Sequence, residues 1–123
     1  MTESEMKQRT KTFALRVIKF ASSLSRNFVG RRLGDQLLRS GTSVAANYRS
    51  ACRSRSRADF LSKLGIVEEE TDESAFWMEL LIEGGIVPAG KLTNLLDEAS
   101  QLTAIMVSSR KSVNKSGNQK SKF

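Results

Sequence analysis

Arginines and carboxylates carry most of the chemistry this sequence could do. Arg49, Arg53, Arg55 and Arg57 place four guanidinium groups within nine residues. That density suits phosphate, because each guanidinium offers charge and a fork of donors to an anion. Glu69, Glu70, Asp72 and Glu73 crowd four carboxylates into five residues, in principle enough oxygen for a divalent cation. At about 100° per residue on a helix they spread around the axis instead of converging, so they read as solvated charge. No metal and no cofactor is expected. Cys52 lies among arginines, which would lower its pKa and raise its reactivity; the other reading is an inert cysteine near a helix end. There is no histidine, which excludes Ser-His-Asp and Cys-His sites, Glu-x-x-His di-metal sites and almost every zinc site. Neither GxxxxGK[ST] nor GxGxxG occurs, so no phosphate-cradling loop is legible. The chain reads as a non-enzyme.

The cationic residues are segregated. Residues 7–58 hold thirteen Lys/Arg and a single acid, Asp35, whereas residues 59–98 hold ten Asp/Glu and two lysines. Residues 99–123 add five Lys/Arg and no acid, and the whole chain carries a formal charge of +7. Separation on this scale implies that one surface meets a partner, either nucleic acid or the acidic half of the same or a neighbouring subunit. With 123 residues, 39% apolar and 27% charged, the chain suits one globular domain with a real core. No apolar run approaches the roughly 20 residues that span a bilayer. The acidic start, Met1 to Glu5, is unlike a signal peptide, and a lone cysteine fits a reducing compartment. A cytoplasmic location is the expectation.

Four helices must position these groups. The first is predicted from about Thr10 to Ser25, with Phe13, Val17, Phe20 and Leu24 at steps of three and four. The second spans about Arg31 to Arg53, with Leu37, Val44, Tyr48 and Ala51 on one face and Ser40 and Gly41 as small residues inside it. The third opens at Ser56-Arg57-Ala58-Asp59, a capping box with Asp in place of Glu, and closes at Gly84-Gly85. Its stripe of Phe60, Leu64, Val67 and Met78 is widened by Ile66, Trp77 and Leu81 to roughly 180°. Glu70 falls inside that arc, either paired with Arg39 or solvated at its rim. The fourth starts at Pro88, a favoured first-turn residue, and carries Leu92, Leu95, Leu102 and Met106. The expected fold is all-α: an up-down-up-down antiparallel four-helix bundle over residues 1–108, with a disordered basic tail over 109–123. In that topology Arg53, Arg55 and Arg57 share one end with Lys7, Arg9, Lys11 and the tail.

Two stretches are familiar. Gln36-Leu37-Leu38-Arg39-Ser40-Gly41-Thr42-Ser43-Val44-Ala45-Ala46-Asn47 and Ser56-Arg57-Ala58-Asp59-Phe60-Leu61-Ser62-Lys63-Leu64-Gly65-Ile66-Val67-Glu68-Glu69 occur here with Glu73 and Trp77 at the following turns. Together they resemble the bacterial "four helix bundle protein" family over roughly residues 10–107. That family includes proteins encoded in intervening sequences of large-subunit ribosomal RNA genes, and its relatives include accessory variability proteins of diversity-generating retroelements. The resemblance implies a small non-enzymatic homopentamer. In the retroelement relatives a basic surface meets nucleic acid and a reverse transcriptase. Arg49 stands where the family usually has Glu, and it enlarges the basic band.

Two functions compete. In the first, an oligomer binds RNA or DNA backbone through Arg49, Arg53, Arg55 and Arg57, alongside Arg110 and Lys111. Such binding is salt-dependent and reads no bases, since no helix-turn-helix or stacking platform is visible. In the second, a protein scaffold uses the charge segregation for subunit assembly. Ile66, Glu70, Trp77 and Leu81 are the candidate oligomer interface in either. The tail's five basic residues and Phe123 would attract anionic lipid only weakly, so no stable membrane association is expected.

Overall fold

The cap at the very start of the chain decides where the first helix begins. The structure is a computed structural model; it describes residues 1–24 and 26–121, with side chains described through residue 115. Helix α1 is Glu3–Ser22, and the Thr2 side chain accepts from the Glu5 N–H at 3.1 Å. Thr2-Glu3-Ser4-Glu5 has capping-box spacing, and Glu3 and Glu5 sit in the first turn, where the helix dipole favours negative charge. The helix therefore begins well before the Thr10 that apolar periodicity marked. It also ends before Ser25, which is outside the described residues.

Helix α2 is Phe28–Ala51, capped by Asn27, whose Oδ1 accepts from the Gly30 N–H at 2.8 Å. Helix α3 is Arg57–Glu83, and Ser56 Oγ accepts from the Asp59 N–H at 3.1 Å, as the sequence predicts. It stops where Gly85 takes φ +72°, with the Ile86 N–H bonded to the Leu81 carbonyl at 3.0 Å and that of Gly85 to Ile82 at 3.0 Å. This paired closure needs a left-handed residue, which glycine adopts without steric cost.

Pro88 does not open the fourth helix. It is extended and precedes a short 3-10 turn, Ala89–Lys91; helix α4 is Thr93–Ser121. The disorder expected from residue 109 is also corrected in part. Residues 109–115 continue α4, with Val113 half-buried and Arg110 paired to Glu68 on α3. The side chains of residues 116–121, and Lys122 and Phe123 altogether, lie outside the described residues.

Consecutive helices run antiparallel, and α1 meets α4 over a shorter seam that closes the ring. Phe13, Val17, Leu37, Val44, Leu64, Met78, Leu92 and Leu102 are fully buried and supply the core from all four helices. Burying side chains of this size removes roughly 1.5–3 kcal/mol of unfavourable hydration each. Polar links cross two seams. Ser74 donates to Ser40 at 2.9 Å between α3 and α2, and Thr103 donates to Thr71 at 2.8 Å between α4 and α3. No helix among the described residues is long and apolar enough to cross a membrane.

Candidate nucleic-acid interface

The up-down-up-down order brings the start of α1, the α2–α3 link and the last turns of α4 to one end. The link is tight. Cys52 caps α2, and the Arg53 and Ser54 amides fold back on Ser50 and Ala51 at 3.0 Å each. A turn this short leaves long side chains no interior to enter, so Arg49, Arg53, Arg55 and Arg57 are all exposed. Arg49 occupies the last turn of α2, where backbone carbonyls favour a cation. None of these four arginines forms an ion pair among the described residues.

Other cations are committed within the fold. Arg9 grips Glu98 in a two-pronged pair, Nε to Oε2 at 2.8 Å and Nη2 to Oε1 at 2.7 Å, and also donates to Gln101 at 2.9 Å. The bonds to Glu98 raise its pKa further and neutralise a charge that position alone assigned to the basic end. Arg110 donates to Glu68, which turns it into the α3–α4 groove instead of leaving it free for phosphate. Lys111 is exposed beside it and, with Ala58 and Ser62, borders a shallow groove next to Arg57. The structure therefore brings five of the six predicted contact residues together as free charge and spends the sixth, Arg110, on an internal pair.

Cys52 is not activated. Burial pushes its thiol above the ordinary range, and Glu3 adds to that shift; the Tyr48 hydrogen bond and Lys7 act in the opposite direction. The nearest groups thus outweigh the surrounding arginines, contrary to the expected lowering. Burial raises the Tyr48 phenol as well.

The predicted interface residues separate. Ile66 is 38% exposed and Trp77 is half-buried, with Phe76 beside it at 49%, a residue that the apolar stripe had passed over. Leu81 is fully buried in the protomer's own core and has no surface to offer. Glu70 does pair with Arg39, at 3.5 Å, and Arg39 also bonds Glu73, which accepts from the Trp77 indole N–H at 3.3 Å. Glu73 is the main reason the Arg39 pKa rises. Among the described residues no group of three or more metal-ligating side chains is arranged to hold an ion.

The model of the family described as 23S rRNA-intervening sequence protein matches residues 2–108, stopping short of Arg110 and Lys111. A solved structure of a protein of unknown function from the S23 ribosomal protein family of Bacteroides thetaiotaomicron VPI-5482 is similar at 32% sequence identity. The likeness covers 90% of this chain and 99% of that one, with a TM-score of 0.82. No curated protein matches.

Proposed function

Because this chain belongs to the 23S rRNA-intervening sequence protein family, we propose that it is a non-enzymatic oligomeric bundle that binds nucleic-acid backbone through its arginine-rich end. One observation carries the reading: Arg49, Arg53, Arg55 and Arg57 stay exposed and unpaired among the described residues, while Arg9, Arg39, Lys63 and Arg110 form ion pairs. Free guanidinium groups at one end form an electrostatic footprint for phosphate. The family description refers to 23S rRNA, which makes RNA the first ligand to test.

Self-association, as the pentamer that the family resemblance implies, would multiply a modest patch, because linked weak contacts act at high effective concentration. Ile66, Phe76 and Trp77 on α3 are the surface we assign to it. A reverse transcriptase or other nucleic-acid-processing protein is a partner compatible with the same role, in a cytoplasmic setting.

The scaffold reading draws on a different observation, the exposed Leu15, Ile18 and Leu38 beside the α1–α2 groove. In that case the partner is a protein and phosphate is irrelevant.

The test is fluorescence-anisotropy binding to single-stranded RNA, double-stranded RNA and duplex DNA from about 50 to 200 mM salt. Binding in the micromolar range or tighter, falling steeply with salt, is expected. The combined Arg53→Gln, Arg55→Gln and Arg57→Gln variant should lose most of it and lower the log–log salt slope by about 2–3. Absence of binding at the lowest salt overturns the reading and leaves the scaffold.

A further inference from the structure

At the end of the bundle opposite the arginine cluster, the α1–α2 link presents an aromatic ring to solvent. Phe28 is 71% exposed and Val29 50%, although both open a helix whose Leu37, Val44, Tyr48 and Ala51 are buried in the core. The Arg32 guanidinium carbon lies 5.3 Å from the centroid of the Phe28 ring. Arg26 and Arg31 are also exposed, and none of the three arginines forms an ion pair among the described residues. The stretch Arg26-Asn27-Phe28-Val29-Gly30-Arg31-Arg32 contains three positive charges and no acid.

We propose that this tip is a second contact surface for nucleic acid, specific for single-stranded segments, with an unpaired base stacking on Phe28 and the flanking phosphates held by Arg26, Arg31 and Arg32. The inference rests on the reading that the protein binds nucleic acid, and adds to it a distinct site and a strand preference.

The chemistry favours this occupant over others. A Phe ring offers a π-face to any base, and arginines beside it supply backbone charge, the pairing that single-strand binders use. A duplex hides its base faces within the stack, so it would use the arginines and not the ring. A membrane surface also attracts Phe and Arg together, but inserting the ring would drag the Arg32 charge toward hydrocarbon or break the contact between them. A stacked base leaves Arg32 where it is. Phe28 contributes little to the core, so its replacement tests binding without unfolding the chain.

The experiment uses the full chain with a labelled 12-nucleotide single-stranded RNA and the same sequence as a duplex. Phe28→Ala should weaken single-strand binding about ten-fold and change duplex binding less than two-fold, while Phe28→Trp retains or tightens it. Equal effects on both ligands, or none on either, overturn the proposal. So does a Phe28→Ala variant that loses binding to phosphatidylcholine/phosphatidylserine vesicles while single-strand affinity is unchanged; the tip then serves a lipid surface. The Arg53/Arg55/Arg57→Gln protein keeps the two readings apart. If that variant alone loses affinity, the tip is wrong and the arginine end stands. If Phe28→Ala alone does, the reverse holds. If the wild type binds neither ligand, both fall.

Discussion

Gly41 and Gly65 show how differently one residue type acts within a helix. A Cβ at Gly41 would lie 2.8 and 2.9 Å from the two methyls of Val17 and 3.1 Å from its Cβ, and Val17 is fully buried. A branched side chain held on all sides cannot swing away, so Gly41→Ala should destabilise the fold, by up to about 2 kcal/mol. Overpacking costs about 1–3 kcal/mol, and alanine's helix propensity returns about 1 kcal/mol of it. At Gly65 the nearest atom is Arg110 Cδ at 4.0 Å, so Gly65→Ala should stabilise by up to about 1 kcal/mol. Urea melts of both variants check this; shifts of the same sign would refute the assigned contacts. Cys52 provides a second test. With its thiol held neutral, alkylation by iodoacetamide at pH 7 should be slower than that of glutathione, and an equal or faster rate would contradict the burial. The sign for stability follows. Below the ordinary thiol range, Cys52 is protonated whether folded or unfolded and contributes no pH dependence. Above that range the unfolded chain releases its proton first, so stability falls as pH rises, and Cys52→Ala should remove that part of the loss.

At the scale of elements, the α1–α4 seam has the least packing and the best-formed ion pair. Arg9 and Glu98 are only 25% and 16% exposed and meet through two parallel hydrogen bonds. Such a pair is stronger than an ordinary surface contact, because both forks are held and water is partly excluded. A double-mutant cycle with Arg9→Gln and Glu98→Gln should give a coupling of about 1 kcal/mol; a value near zero would mean that the seam is closed by apolar packing alone. The α2–α3 and α3–α4 seams are crossed by small hydroxyl residues. Ser40 and Ser74 let α2 and α3 approach while each buried oxygen stays hydrogen-bonded, since Ser40 passes its own proton to the Leu37 carbonyl.

For the whole molecule, Arg9, Arg39 and Arg110 pair inside the protomer with Glu68, Glu70, Glu73 and Glu98, three positive charges against four negative, and leave the basic ends uncompensated. The acid-rich middle of the sequence therefore meets part of its opposite charge within one chain, which removes part of the need for subunits to supply it. Apolar surface on α3 remains, and it is there that self-association should be broken. Size-exclusion chromatography with light scattering should return a species several times the 13.6 kDa of one chain. Combined Ile66→Asp and Phe76→Asp should shift it to a smaller species with unchanged helical circular dichroism. A wild-type monomer would refute the oligomer, and an unchanged oligomer in the variant would move the interface elsewhere.

The four-helix architecture, the start of α3 and the clustering of Arg49, Arg53, Arg55 and Arg57 were legible along the chain. Helical periodicity, a serine cap and short links are local signals, and four successive antiparallel helices leave little freedom in which ends meet. The start of α1 was equally local, in Thr2 and Glu5, but its apolar stripe is sparse before Phe13, so periodicity alone passed over it. Which charges stay free depends on how the helices pack. Arg9 and Arg110 look no different in sequence from Arg53, and what separates them is a carboxylate on another helix, far away along the chain. The same holds for Leu81, enclosed by its own protomer, for Cys52, where burial overrules neighbouring arginines, and for Phe28, a large apolar residue that the fold turns out into solvent. Each depends on burial or on a partner many residues distant, and periodicity along one helix carries no information about either.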